Sequence, residues 1–137
     1  MQSEARLPNV TLVDRVEDDQ LETFLSAADV WIIPYRRNVA GVSVPSRFYN
    51  LLAIGRPVIL VSEVDAEAAL TVTEHDVGWV VEPGSADALA KTVSRAAGAD
   101  DPQRAERAAE IAGRFDFNAA MAGYCGLIHE LLQQKPD

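Results

Sequence analysis

A chain of 137 residues with 48% apolar composition is long enough for one compact domain with a single core, burying about two-thirds of its unfolded surface. Its formal net charge of −9 sets it against nucleic acid and acidic membrane surfaces, and no apolar run approaches the ~18–20 residues of a membrane span. The start, MQSEARLPN, lacks the apolar segment of a secretion signal, and the lone Cys125 excludes an internal disulfide, so the reading is a soluble, cytoplasmic protein.

Residues 1–8 and 133–137 are expected to be flexible ends of this single domain. Val10 to Val13 predicts a first strand. Asp18 or Asp19 then caps a helix carrying Leu21, Phe24, Leu25 and Ala28 on one face. The continuous apolar run VWIIP, Val30 to Pro34, reads as a strand buried on both faces, which is typical of parallel sheets. Pro45 suits the first position of a helix running to Ile54, because its missing N–H is one a helix start does not need, and Gly55 supplies the stop. PVILV, Pro57 to Val61, is a third strand; Asp65 to Glu74 a helix; GWVV, Gly78 to Val81, a fourth strand. Ser85 caps a helix that turns Leu89, Val93 and Ala96 inward.

Two helices complete the chain, one capped by Asp101 with Pro102 in its first turn, the other capped by Asp116. In the second, Phe117, Met121, Tyr124, Ile128 and Leu131 recur at steps of four and three, predicting a stripe that packs on the core. Beside it, Cys125 reads as a buried thiol and His129 as a helix-surface imidazole. No third group is in place to make them a catalytic pair. His75 and His129 with one cysteine assemble no familiar metal-ligand set, so no metal site is expected.

Strands alternating with helices predict an α/β fold: a Rossmann-like parallel sheet with helices on both faces and a helical C-terminus. Ligands in such sheets bind outside the carboxyl ends of the strands, here the loops Asp14 to Asp18, Tyr35 to Val44 and Ser62 to Ala66. The middle loop lies in a stretch, Val30 to Ser62, without one Asp or Glu but with Arg36, Arg37, Arg47 and Arg56. It carries Gly41 and leads into the helix begun by Pro45, whose first N–H groups, those of Ser46 and Arg47, would favour an anion. A diphosphate fits, held in a pocket free of competing carboxylates. The alternative is an ordinary loop before a proline-started helix, with four unrelated solvated arginines. GxGxxG after a first strand and GxxxxGK[ST] are absent, which weakens simple dinucleotide and P-loop readings.

The order NVTLVDRV, DDQLETFLSAADVWIIPY, GVSVPSRFYNLLAIGRPVILV and HDVGWVVEPGSADALAKTV resembles the carboxyl-terminal, donor-binding half of a retaining GT-B glycosyltransferase of the family 4 type. The likeness runs from Asn9 to the last helix. The block VPSRFYNLLAIGRPVI is most similar to members that make bacterial surface polysaccharides.

The resemblance implies transfer of a sugar from a nucleotide-diphosphate sugar to an acceptor, with no cofactor and no obligatory metal. It implies that the backbone of Arg15 and Val16 meets the nucleobase and that Gly41, Ser46 and Arg47 hold the diphosphate, Arg47 stabilising the charge that grows on the leaving group. Asn50 falls at the second Glu of the family's E-x7-E motif, which binds the ribose; Asn both donates and accepts, so that contact can survive. The first Glu falls at Val42, which has no polar group, so the sugar contact would shift to Ser43. Glu67 becomes a candidate acceptor for a sugar hydroxyl.

The family's acceptor lobe and two donor-lobe strands do not precede Val10 here, so the fragment alone is expected to be inactive. Its first strand is expected either to re-pair with Val30 to Ile33 or to find a partner in a homodimer through the open sheet edge. Other readings are a non-catalytic GT-B-like binding or assembly module and a nucleotide-sugar epimerase-like fragment, although no cleft histidine or extra carboxylate supports the latter.

Overall fold

The structure, a computed structural model, describes residues 7–38, 42, 46–99, 101–115 and 117–133. Three four-residue strands, β1 (Trp31–Pro34), β2 (Val58–Val61) and β3 (Gly78–Val81), form a parallel sheet in the order β1-β2-β3. Trp31 pairs with Val58 and Val58 with Gly78, so the strands end level at Pro34, Val61 and Val81. Helices α2 (Ser46–Ala53) and α3 (Glu67–Glu74) make the two crossovers, and α5 (Pro102–Ala112) packs along α2. These helices and α1 (Leu21–Ser26) share the core on one face, while α4 (Ala86–Ala97) covers the other.

The alternation of β2 explains why its sequence is apolar throughout. Val58 and Leu60 enter the larger core with Phe48, Leu51, Leu52 and Val72, whereas Ile59 enters the smaller one with Trp79, Val81 and Ala96. Both faces are covered, and Val58, Ile59 and Leu60 are fully buried. On α2, Phe48, Leu51 and Leu52 follow the i, i+3, i+4 spacing of one helical face, each contributing about 1.5–3 kcal/mol by leaving water.

Local chemistry sets the helix ends. Gly55, at φ +68°, donates its N–H to the Leu52 carbonyl (2.9 Å) and Arg56 donates to that of Leu51 (2.9 Å), the paired bonds of a Schellman stop. Ser85 Oγ accepts from the Ala88 N–H at 3.4 Å, and Asp101 Oδ1 from the Arg104 N–H at 3.2 Å. Asp101 also accepts from Arg107 at 2.9 Å, while Asp76 receives Arg104 at 3.0 Å and Arg107 at 2.7 Å, tying α5 to the turn before β3. Arg104 lies over the Trp79 ring, 4.4 Å from its centre.

Several expectations are overturned. Val10 to Val13 forms no strand: the segment is irregular, with Val10, Leu12 and Val13 exposed, and β1 pairs with β2 alone, so the re-pairing with Val30 to Ile33 does not occur. A strand draws its hydrogen bonds from a neighbour, and this segment has none among the described residues. Asp18 and Asp19 do not cap α1; they lie inside a 3₁₀ turn, Asp18–Gln20, that precedes it.

The last helix, α6 (Phe117–Gln133), buries nothing. Phe117, Met121, Tyr124, Ile128 and Leu131 are exposed, joined by Leu127 and Leu132, and Cys125 is an exposed thiol instead of a buried one. The stripe exists, but none of the described elements lies over it. His129 is at the surface as expected, its Nε2 accepting from Gln133 at 2.8 Å. The helix start at Pro45 and the cap at Asp116 lie outside the described residues.

Candidate functional site

A cleft of about 570 Å³ lies beside the outer edge of β1, between the segment 13–18, α1 and the first turn of α2. It is lined by Arg15, Val16, Arg47 and Asn50, which the structure therefore brings together from stretches more than thirty positions apart in the chain. Its wall is held by Trp31, which donates from Nε1 to the Leu25 carbonyl at 2.8 Å and meets the Phe24 ring edge-on at 5.5 Å. These contacts fix α1 against β1 and give the cleft an aromatic side. Apolar lining with a few convergent polar groups is the usual character of a small-molecule site.

Arg47 and Asn50 are both exposed on α2, and Arg47 makes no ion pair among the described residues. The cleft is not free of carboxylates: Asp14 and Asp18 also line it, and Asp18 stands 3.6 Å from Arg15. That pair is 85% and 93% exposed, so water screens it and an arriving anion meets little competition from it. Ser46 opens α2 and is exposed but does not line the cleft. Gly41 and Ser43 lie outside the described residues; Val42 is 81% exposed.

Glu67 is not in the cleft. It sits in the first turn of α3, where its Oε1 accepts from the Tyr49 hydroxyl at 3.4 Å. Burial, then the charge and hydrogen bond of Glu67, push the Tyr49 hydroxyl above its ordinary value. Burial alone does the same to Tyr35, whose hydroxyl is buried without a partner among the described residues. Tyr35 directly follows β1, and Tyr49 lies between Phe48 and Asn50. Sequence reasoning missed both, although a tyrosine at a strand end was a usable signal.

Of the four arginines in the carboxylate-free stretch, two are committed to backbone carbonyls. Arg56 donates to Ser26, bracing α1, and Arg37 donates to Pro83. A carbonyl does not neutralise a guanidinium, so the local positive field survives while only Arg36 and Arg47 present exposed forks without such bonds among the described residues. Among those residues no group of three His, Cys, Asp or Glu is placed to hold a metal ion, and no helix is long and apolar enough to cross a membrane.

Residues 1–98 match the family described as "Glycosyl transferases group 1". A stretch of 69 residues is 32% identical to the "Probable glycosyltransferase WbjE" of Pseudomonas aeruginosa, covering 50% of this chain and 17% of that protein's length. The family match takes in all three strands, both crossovers and every described residue of the cleft, and by it this chain belongs to the glycosyl transferases group 1 family.

Proposed function

We propose that the chain is the donor-binding portion of a cytoplasmic glycosyltransferase that takes its sugar from a nucleotide-diphosphate sugar and serves polysaccharide or glycoconjugate synthesis. The observation that carries this reading is the convergence of Arg15, Val16, Arg47 and Asn50 on one cleft. Arg47 and the N–H groups at the start of α2 would meet the diphosphate, Asn50 the ribose, and the backbone at Arg15 and Val16 the base. As the bond to the anomeric carbon breaks, negative charge grows on the departing diphosphate oxygen. A guanidinium uncommitted to other groups among the described residues, beside a helix start, would stabilise that charge more than the ground state. The reading calls for no resident cofactor, and it leaves the acceptor to a part of a longer protein, in keeping with the 17% of the relative that the match covers.

Titration with UDP, GDP and ADP, followed by backbone amide shifts, tests it. Shifts clustered at residues 15–16 and 47–50, weakened in Arg47→Ala and Asn50→Ala, are expected. Saturating diphosphate with no shift near Asn50 would favour a non-catalytic module of the same fold.

A further inference from the structure

We infer that the cleft prefers guanine to the other nucleobases, with Asp14 as the residue that reads it; this rests on the donor-site reading above and names the base. The charges that line the cleft come in two groups. Arg47 belongs to the first turn of α2, whereas Asp14, Arg15 and Asp18 belong to the segment that leads toward α1. Neither carboxylate stands within ion-pair distance of Arg47 among the described residues. A diphosphate is drawn to the guanidinium and away from the carboxylates, so the uncharged end of the nucleotide, its base, faces the segment 14–18.

Each base meets a carboxylate differently. A carboxylate only accepts, through two oxygens set side by side. Guanine offers two adjacent donors, N1–H and the N2 amino group, and satisfies both oxygens at once. Adenine and cytosine place one amino donor beside a ring nitrogen whose lone pair opposes the second oxygen. Uracil sets its single N3–H between two carbonyls. Guanine alone gives a carboxylate two hydrogen bonds with no acceptor facing it.

Of the two aspartates, Asp18 stands 3.6 Å from Arg15 in the 3₁₀ turn, while Asp14 makes no ion pair among the described residues and directly precedes Arg15 and Val16. Asp14 is the acceptor left for a ligand. It is exposed, so water competes for it and the preference is modest. The rest of the lining suits a purine. Phe24 and Trp31 are partly exposed in the wall beside Leu21 and Ile32, and a two-ring base covers more of that apolar surface than a pyrimidine. Trp31 Nε1 is already given to the Leu25 carbonyl, so the wall supplies area and leaves the choice of base edge to the carboxylate.

Calorimetry with GDP, IDP, UDP and ADP on the wild type, Asp14→Asn and Asp18→Asn tests it. In the wild type GDP is expected to bind about tenfold more tightly than UDP or ADP, and IDP, which lacks the N2 amino group, about threefold more weakly than GDP. Asp14→Asn turns one acceptor oxygen into a donor. It should bring GDP down to the affinity of UDP, while UDP itself holds or tightens slightly because a negative charge has left the cleft. General damage to the fold would weaken both nucleotides, so the crossed response separates base reading from misfolding. Asp18→Asn should keep the ranking. Equal affinities for GDP and UDP in the wild type, IDP equal to GDP, or a GDP preference that survives in Asp14→Asn or is lost in Asp18→Asn overturns the inference and leaves the donor site standing. A wild type that binds none of the four sinks the donor-site reading, and the base preference with it.

Discussion

Arg47 and Asn50 stand three residues apart in the first turns of α2, and both line the cleft that Arg15 and Val16 also border. The spacing places them on neighbouring parts of one helix face, a charge beside an amide. On the donor-site reading Arg47→Ala should weaken diphosphate binding by about 1–3 kcal/mol and leave nucleoside binding little changed, since only the phosphate contact is charge-assisted. Asn50→Ala should cost about 0.5–1.5 kcal/mol for nucleoside and diphosphate alike. Calorimetry with the two ligands separates the cases.

The two apolar helices α2 and α6 predict opposite sensitivities. Phe48 is fully buried, so Phe48→Ala should destabilise the fold by about 3–5 kcal/mol. Leu131, 58% exposed, has no such packing to lose, and Leu131→Ala should stay within about 0.5 kcal/mol of the parent. Urea unfolding midpoints would show it, and a large loss at Leu131 would mean that α6 is covered in solution.

Glycines offer a second contrast. A Cβ on Gly78 would fall 2.1 Å from the Val58 carbonyl oxygen, in the backbone of the paired strand, so β2 and β3 would have to part. Gly78→Ala should cost about 2–4 kcal/mol. Gly123 meets nothing within 4 Å and lies inside α6, so Gly123→Ala should gain up to about 1 kcal/mol from helix propensity. Thermal melts of the pair would check both signs.

Asp101 gives the pH dependence. The hydrogen bond from Arg107, helped by the charges of Arg107 and Arg104 against an opposing desolvation, holds its carboxyl below the ordinary 3.8. A carboxylate whose folded value is depressed contributes stability above its unfolded value, and that contribution disappears as pH falls through the folded one. Asp101→Asn should therefore be less stable than the parent at neutral pH, with the gap closing below pH 3.8. Denaturation curves at pH 7 and pH 3 would measure it; a gap independent of pH would place the effect in the helix cap alone.

Much of the fold was legible because its signals are local. Gly55 stops α2, Ser85 and Asp101 cap their helices, and the run VILV at Val58–Val61 names a strand, whereas VWIIP, read as buried on both faces, gives the edge strand β1 with Ile32 and Pro34 exposed. Arg15, Val16, Arg47 and Asn50 were named by family likeness, and the fold places them on one cleft, whereas Glu67, named with them, is turned to Tyr49.

By itself the amino-acid sequence determined the alternation of strand and helix, the helix ends and the gap in negative charge from Val30 to Ser62, because each depends on neighbours along the chain. Tertiary structure alone decided which apolar faces are covered. Among the described residues, Val10–Val13 has strand composition without an adjoining strand, and α6 has a packing stripe without a surface to meet it. The fate of Arg37 was likewise settled in space, by a carbonyl 46 residues away. Periodicity states that a side chain can be buried or paired; only the folded arrangement supplies the partner.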